Sequence, residues 1–130
     1  MGSVTLMRAV FDTNILVDYL NGFSKAADVI AMYKDPIVSR ITWMEILVGV
    51  KGDDELTPTR EFLRLFRIEE LNKTIAEETV RVRQAKRIRL PDAIIYATAS
   101  SLGCQLVTRN TKDFHATDPL VRIPYSVTQS

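Results

Sequence analysis

Short apolar runs alternate along the chain with longer segments in which apolar residues recur every three or four positions. The short runs are typical of buried strands, and the longer spacing is typical of amphipathic helices. Strands are predicted at residues 8–11, 37–39, 66–70, 105–108 and 121–123. Helices are predicted at residues 14–20, 24–33, 42–50, 57–66, 74–88 and 90–101, the third capped by Ser39 or Thr42. This alternation favours an α/β fold, a three-layer α/β/α sandwich around a mainly parallel central sheet.

Capping and turn residues set several of these boundaries. Thr57–Pro58 predicts a helix start, because the missing N–H of proline costs no hydrogen bond in the first helical position. Thr74 and Glu77 have the spacing of a capping box. The pair Asp35–Pro36 predicts a turn, and residues 51–55 predict a loop.

The length of 130 residues predicts one compact domain, with residues 1–6 as a disordered start or a cloning remnant and Met7 as an alternative start. The 17 basic and 16 acidic side chains give a formal net charge of +1, so net charge neither favours nor excludes nucleic acid as a partner. No apolar run reaches the roughly 18–20 residues that a membrane helix needs. Together with the lone Cys104, interpreted as a small buried thiol, this predicts a cytoplasmic protein with no membrane partner.

Three acidic residues occupy segments that are otherwise apolar. Asp12 follows the strand-like run 9–11, Glu45 lies in the apolar helix 41–50, and Asp92 opens the apolar helix 90–101. A carboxylate in an apolar environment is costly unless it is paired, hydrogen-bonded or bound to a cation. The three acids are therefore predicted to converge on one cluster whose charge is compensated.

Each acid also has a purely structural interpretation. Asp12 and Asp92 stand where a helix N-terminus favours an acid, and Glu45 could pair with Arg40 or another arginine. These interpretations would all have to hold at once, so the shared cluster is favoured.

A hard divalent cation is the compensating charge that this set of side chains suits. No cysteine accompanies the acids, and the only histidine, His115, lies in a late loop. Oxygen ligands and water suit Mg²⁺ or Mn²⁺ rather than zinc. In open α/β sheets ligands bind beyond the carboxyl ends of the strands, where Asp12 and Thr108 are expected. Acids that hold such ions in this position are suited to phosphodiester hydrolysis.

Four segments resemble the ordered signatures of PIN domains: Phe11–Asn14, Ser39–Gly49, Leu90–Ala99 and Leu106–Phe114. The resemblance extends from about residue 8 to about residue 125. Small single-domain members of this family are mostly VapC-type toxins of bacterial and archaeal toxin–antitoxin pairs. The resemblance implies a Mg²⁺- or Mn²⁺-dependent endoribonuclease that often cuts transfer or ribosomal RNA. It also implies a homodimer that a small cognate antitoxin inhibits.

The resemblance assigns roles to individual residues. Asp12, Glu45 and Asp92 correspond to the three core metal-site acids. Thr13 and Thr108 would orient metal-bound water or a neighbouring carboxylate.

The fourth position of the site has two candidates. Family members commonly supply an acid or an asparagine after the last signature strand, where this chain has Asn110 and, three residues on, Asp113. Both are expected to line the site, with Asp113 as a metal ligand, although Asp113 could instead only cap or turn the loop. An amide at position 110 carries no charge, so a second metal would bind weakly.

Two basic rows are candidates for RNA or antitoxin contacts. They comprise Arg81, Arg83, Lys86, Arg87 and Arg89 before Asp92, and Arg60, Arg64 and Arg67 at helical spacing. A positive rim would attract the RNA backbone, but a solvated helix face would have the same composition. Trp43 and Tyr96 are interpreted as core or dimer-contact residues rather than as platforms for bases.

Two other functions are less consistent with the sequence. Haloacid-dehalogenase-like phosphatases need a second aspartate two positions after the first, where this chain has Asn14, and receiver domains need adjacent acids, where Phe11 precedes Asp12. A non-enzymatic alternative is a catalytically weak PIN-like module that acts through protein or RNA binding. Asn110 at the fourth position is its only support.

Overall fold

A parallel sheet forms the centre of the molecule. The computed structural model describes residues 6–127, in which the strands are β1 Leu6–Phe11, β2 Tyr33–Ser39, β3 Arg67–Glu69, β4 Gln105–Val107 and β5 Val121–Arg122. Their order is β3-β2-β1-β4-β5, and each strand runs parallel to its neighbours. The predicted parallel sheet is confirmed, with β1 between β2 and β4. The carboxyl ends of these three strands therefore meet at one edge.

Helices cover both faces of this sheet. Within the described residues they are α1 Thr13–Leu20, α2 Ser24–Ala31, α3 Arg40–Val48, α4 Asp53–Leu63, α5 Lys73–Ala85 and α6 Leu90–Leu102. Successive strand residues point to opposite faces, so Ala9 and Phe11 pack with α1, α2 and α4, whereas Val10 packs with α5 and α6. The predicted three-layer sandwich is confirmed.

The turn predicted at Asp35–Pro36 is wrong, because both residues lie within β2. Pro36 stands opposite Ala9 of β1, but β3 pairs with β2 only from Ile37 onwards. At position 36 one side of β2 is thus a sheet edge, where proline removes no hydrogen bond of the ladder.

The fourth helix begins earlier than the Thr57–Pro58 signal predicts. It starts at Asp53, so most of the predicted loop 51–55 is helical and Pro58 lies inside the helix. Its first turn contains only acids, Asp53, Asp54 and Glu55, which interact favourably with the positive end of the helix dipole. Pro58 removes one backbone hydrogen bond from the interior of this helix.

Two other caps are defined by hydrogen bonds. Ser39 caps α3 by accepting from the backbone N–H of Ile41 at 3.2 Å, which decides between the two predicted candidates. Asn72, not Thr74, caps α5, because its Oδ1 accepts from the N–H of Ile75 at 2.8 Å. The predicted capping box is therefore wrong.

Leu6 already belongs to β1, and the rest of the predicted irregular start, residues 1–5, lies outside the described residues. Cys104 is half-buried, and burial raises the pKa of its thiol, which makes it less reactive. Between residues 6 and 127, the helices are too short or too polar to cross a bilayer.

Candidate metal centre

Asp12 is the most buried acid of the site. It lies at the carboxyl end of β1 and is 4% exposed. Its Oδ1 accepts from the backbone N–H of Thr13 at 2.8 Å, and its Oδ2 accepts from Thr108 Oγ1 at 2.7 Å and from Asn14 Nδ2 at 3.2 Å. Burial raises the pKa of Asp12 to about 6, with a further contribution from the charge of Asp92, although the hydrogen bonds from Thr108 and Thr13 oppose the rise. Asp12 caps α1, and its ionised side chain is destabilised by burial at the site.

Glu45 lies on α3 but is exposed, so the expectation that it is embedded in apolar surroundings is wrong. Ile46 takes the buried position of this turn, and Glu45 stays at the surface beside the site. Its Oε1 accepts from Thr13 Oγ1 at 2.7 Å. The predicted alternative partner, Arg40, pairs with Glu70 instead.

Asp92 lies in the first turn of α6, and its side chain is 14% exposed. Burial raises the pKa of Asp92, the charge of Arg89 opposes this, and the charges of Asp113 and Glu45 add to it. The Arg89 Nε atom is 3.6 Å from Asp92 Oδ2, but the Arg89 side chain is 80% exposed. An ion pair of this kind is weak, because water screens it. Asp92 therefore lacks a strong cationic partner.

The loop after β4 supplies the fourth region of the site. Thr108 is fully buried, and its Oγ1 accepts from the N–H of Asn110 at 3.0 Å while it donates to Asp12. Asn110 Nδ2 donates to Asp113 Oδ2 at 2.9 Å, and the N–H of Asp113 donates to Asn110 Oδ1 at 3.2 Å. Asp113 thus turns the loop, as its structural interpretation predicts, and also faces the site.

Most of these residues line one cavity of about 640 Å³. Of the predicted site residues it is lined by Asp12, Thr13, Glu45, Asp92, Asn110 and Asp113, whereas Thr108 is buried behind Asp12. In residues 6–127, however, no three acidic, histidine or cysteine side chains are close enough together to hold one ion between them. The predicted compact cluster is therefore an open arrangement around a shared cavity, which is consistent with repulsion between like charges.

The chemistry of this cavity fits a hard divalent cation. Its donors are carboxylate and amide oxygens, which Mg²⁺ and Mn²⁺ prefer. Among the ion pairs of the described residues, none involves Asp12, Glu45 or Asp113. A bound cation would remove the electrostatic cost that raises the pKa of Asp12 and Asp92.

Only part of the first basic row reaches this cavity. The cations that line it are Arg87, Arg89, Arg109 and Lys112. Arg81 pairs with Glu78, and Lys86 lies 5.2 Å from the ring centroid of Tyr96.

The second basic row is not a free cationic surface. Arg67 lies in β3, not on a helix, and pairs with Asp35 at 2.9 Å. Arg64 pairs with Glu61, and Arg60 lies 5.7 Å from the centroid of the Trp43 ring. Each cation of this row therefore already has a contact within the chain, although the Arg64–Glu61 pair is exposed.

The two aromatic residues contact the cores on either side of the sheet. Tyr96 stacks on Phe114 with 5.8 Å between ring centroids and donates to Asp118 Oδ2 at 2.6 Å. Trp43 packs against the core below α1 and α4. Both are core contacts, as the sequence analysis expected.

A hydrogen-bonded group beside the cavity was not predicted from the sequence; it consists of Asp18, Arg109 and Tyr125, and we call it the Asp18 clamp. Arg109 donates from Nε and Nη2 to Asp18 at 2.6 and 2.9 Å, and the Tyr125 hydroxyl donates to Asp18 Oδ2 at 2.8 Å. The N–H of Arg109 also donates to Asn14 Oδ1 at 3.3 Å. Asp18 lies in the apolar segment 15–20, so the signal that singled out Asp92 was present here too.

Comparisons with known proteins agree with this architecture. A family model described as PIN domain matches residues 9–119. A solved structure of a toxin–antitoxin complex from Klebsiella pneumoniae is 43% identical, with a TM-score of 0.85 and coverage of 92% of this chain and 99% of that one. No curated protein matches.

More distant solved structures share the fold. The FitAcB structure from Neisseria gonorrhoeae is 24% identical, with a TM-score of 0.74 and coverage of 92% of this chain and 98% of that chain. VapBC2 from Rickettsia felis, bound to a DNA fragment from its promoter, is 18% identical, with a TM-score of 0.76 and coverage of 90% and 98%.

Proposed function

Because this chain belongs to the PIN-domain family, we propose that it is a divalent-metal-dependent endoribonuclease and the toxin of a VapBC-type toxin–antitoxin pair. The observation that carries the proposal is the cavity at the carboxyl end of the sheet. Acids from four separate regions of the chain face it, and Asp12, the most buried of them, has a pKa raised to about 6. Such an arrangement destabilises the metal-free protein and is typical of a functional site.

The metal site would be formed by Asp12, Glu45, Asp92 and Asp113, with Asn110 as a neutral oxygen ligand. When bound there, Mg²⁺ or Mn²⁺ would lower the pKa of the attacking water and stabilise charge at the scissile phosphate.

The protein's own side chains prepare this site. Thr108 and Asn14 fix Asp12 Oδ2 before an ion arrives, so ligation requires little rearrangement on this side. Thr13 donates to Glu45 and so orients its carboxylate. Arg87 and Lys112 border the cavity and would offset the repulsion between the acids and the RNA backbone.

A cognate antitoxin is the proposed protein partner. The support is that a chain 43% identical to this one, over nearly its full length, was solved in a toxin–antitoxin complex. A homodimer and a cytoplasmic location remain predictions of the sequence analysis, and sedimentation of the purified chain would test the first.

Cleavage assays test the nuclease. The purified chain should cut a pool of transfer and ribosomal RNA with Mg²⁺ or Mn²⁺ and not with EDTA. Asp12→Asn and Asp92→Asn should abolish cleavage without unfolding the protein, whereas Asp28→Asn, at an exposed position of α2, should cleave like the wild type. Cleavage in EDTA, or full activity of both site variants, would refute the proposal.

A PIN-like module without strong catalysis is the second candidate. Two observations favour it. Asn110 would supply an uncharged ligand, and between residues 6 and 127 no three acidic, histidine or cysteine side chains lie close enough together to hold one ion. Calorimetric titration with Mn²⁺ separates the two functions. Absence of binding at millimolar Mn²⁺ would favour the module.

A further inference from the structure

Arg109 borders the cavity that is lined with acids, yet its guanidinium contacts an acid outside that cavity. The side chain is 33% exposed and forms two hydrogen bonds to Asp18, which lies on α1 one turn after Asn14. Paired hydrogen bonds between arginine and a carboxylate are among the strongest polar contacts in proteins. Asp18 thus fixes the direction of a permanent positive charge beside the site.

Arg109 and Asp12 line the same cavity, and the charge of Asp12 acts on the guanidinium. The hydrogen bonds to Asp18 are the main reason why the pKa of Arg109 is raised, and the charge of Asp12 contributes in the same direction. Asp12 has no cationic partner among residues 6–127 and accepts only from neutral donors. Two carboxylates therefore attract one guanidinium, and only Asp18 holds it.

The backbone of Arg109 is held close to Asp12. The N–H of Arg109 donates to Asn14 Oδ1, and Asn14 Nδ2 donates to Asp12 Oδ2, so one amide side chain links Arg109 to Asp12. Tyr125, from the last described segment of the chain, donates to Asp18 from the other side. An arginine cannot lose its charge in a protein. If Asp18 no longer held it, the guanidinium would turn to another acid.

We propose that Asp18 is a positioning residue that withholds the Arg109 guanidinium from Asp12 and so keeps Asp12 free for the metal. This inference rests on the metal site of the proposed function. It goes beyond that function because it assigns a role to an ion pair that borders the site without supplying a ligand. Loss of Asp18 would place a cation of the protein where the divalent ion belongs.

A stability measurement without metal tests whether Asp18 keeps the Arg109 guanidinium away from Asp12. In EDTA, Asp12→Asn in the wild-type background should raise Tm by about 4 °C or more, because a buried charge with no cation is removed. In an Asp18→Asn background the same Asp12→Asn change should lower Tm, because Asp12 would by then be paired with Arg109. An effect of the same sign in both backgrounds would overturn the proposal.

Metal binding supplies the second measurement. Asp18→Asn should weaken Mn²⁺ binding by about 10-fold or more, and the double variant Asp18→Asn/Arg109→Met should restore it to within about 3-fold of the wild type. The amide oxygen at position 18 can still accept from Tyr125, and removing both charges leaves neither of them unpaired. If the pair were merely structural, the second substitution would not restore binding, and that result would contradict the proposal.

A comparison at position 109 covers the case in which Asp18→Asn does not fold. Arg109→Lys keeps the charge but cannot form the two-bond pair, so it should weaken Mn²⁺ binding about 5-fold, whereas Arg109→Met should not weaken it. The reverse order, with Met worse than Lys, would refute the proposal. Asp28→Asn is the control and should change neither the metal-free Tm nor Mn²⁺ binding.

The two proposals fail in different ways. If the wild type binds no Mn²⁺, the metal site of the proposed function is wrong, and the sign of the metal-free Tm change still decides the role of Asp18. If the wild type binds Mn²⁺ but Asp12→Asn changes Tm in the same direction in both backgrounds, only the role of Asp18 is wrong.

Discussion

The two sides of the cavity hold their acids in different ways. On the β1 side, Asp12 is nearly inaccessible to solvent, and three neutral donors fix both of its oxygens. On the α6 side, Asp92 has only an arginine at 3.6 Å whose side chain is mostly in solvent, and Asp113 is held by the amide of its own loop. One side is organised before any ligand binds, and the other side is not.

This difference indicates how the site would acquire an ion. A carboxylate that is desolvated and locked in place supplies a strong, fixed ligand, because neither its orientation nor its hydration has to change on binding. Acids held by weak or local contacts can move toward the ion after it arrives. We infer that Asp12 determines affinity and that the acids on the other side adjust to it.

The largest effect should come from removing the fixed ligand. Asp12→Asn should lower Mn²⁺ affinity by more than the roughly 100-fold that loss of a ligand's hydrogen-bonding partner can cost, and Asp92→Asn should lower it less. Calorimetry of the two variants, each confirmed as folded by circular dichroism, measures the difference. Equal losses, or a larger loss for Asp92→Asn, would break the contrast between the two sides.

The pH dependence of metal-free stability should be the next largest effect. The folded-state pKa of Asp12 is about 6 against an ordinary value of 3.8, so the folded state binds this proton more tightly than the unfolded state does. The stability that the protein gains from protonated Asp12 is therefore fully present below about pH 4. It falls as pH rises from 4 to 6 and is lost above that range. The fall corresponds to about 3 kcal/mol.

Urea unfolding in EDTA at pH 4 to 7 measures this effect. The free energy of unfolding of the wild type should fall across that range relative to the Asp12→Asn variant, in which the group is absent. Parallel curves would show that burial does not raise the pKa of Asp12.

A smaller effect should follow from loss of one donor to Asp12. Thr108→Val keeps the shape of a fully buried side chain but removes the hydroxyl that donates at 2.7 Å. Mn²⁺ affinity should fall by about 10-fold, the smaller of the losses that follow when a residue hydrogen-bonded to a metal ligand is removed. Thr59→Val, at a buried position of α4 outside this cavity, is the control and should not change affinity.

The smallest effect should be that of Glu45→Gln on the metal-free protein. Glu45 is exposed and accepts from Thr13, a contact that the amide oxygen can keep, so stability should change by no more than about 0.5 kcal/mol. Thermal unfolding in EDTA provides the measurement. A large loss of stability would show that Glu45 belongs to a structural network.

The fold and most residues around the cavity could be predicted because they depend on local patterns. The strands and helices follow from hydrophobic spacing, and parallel strands bring their carboxyl ends to one edge, which places Asp12 beside the loop after β4. The start of α4 was mispredicted because an acidic first turn competed with a good proline signal. Burial of Glu45 was mispredicted because an apolar helix sequence does not say which residue lies at its edge.

The Asp18 clamp shows what a linear sequence conceals. Its three residues are separated by up to 107 positions, and Tyr125 follows no motif that would connect it with α1. An acid in an apolar helix predicts that a partner exists, but only the three-dimensional arrangement identifies Arg109 as that partner.

The central position of β1 has a consequence for how the protein is made. The strand that precedes Asp12 is synthesised first, but its neighbour β4 comprises Gln105–Val107, and Thr108 follows it. A nascent chain that ends before these residues has the first acid without the hydroxyl that orients it. The site therefore cannot be assembled until translation has passed Thr108, however early β1 leaves the ribosome.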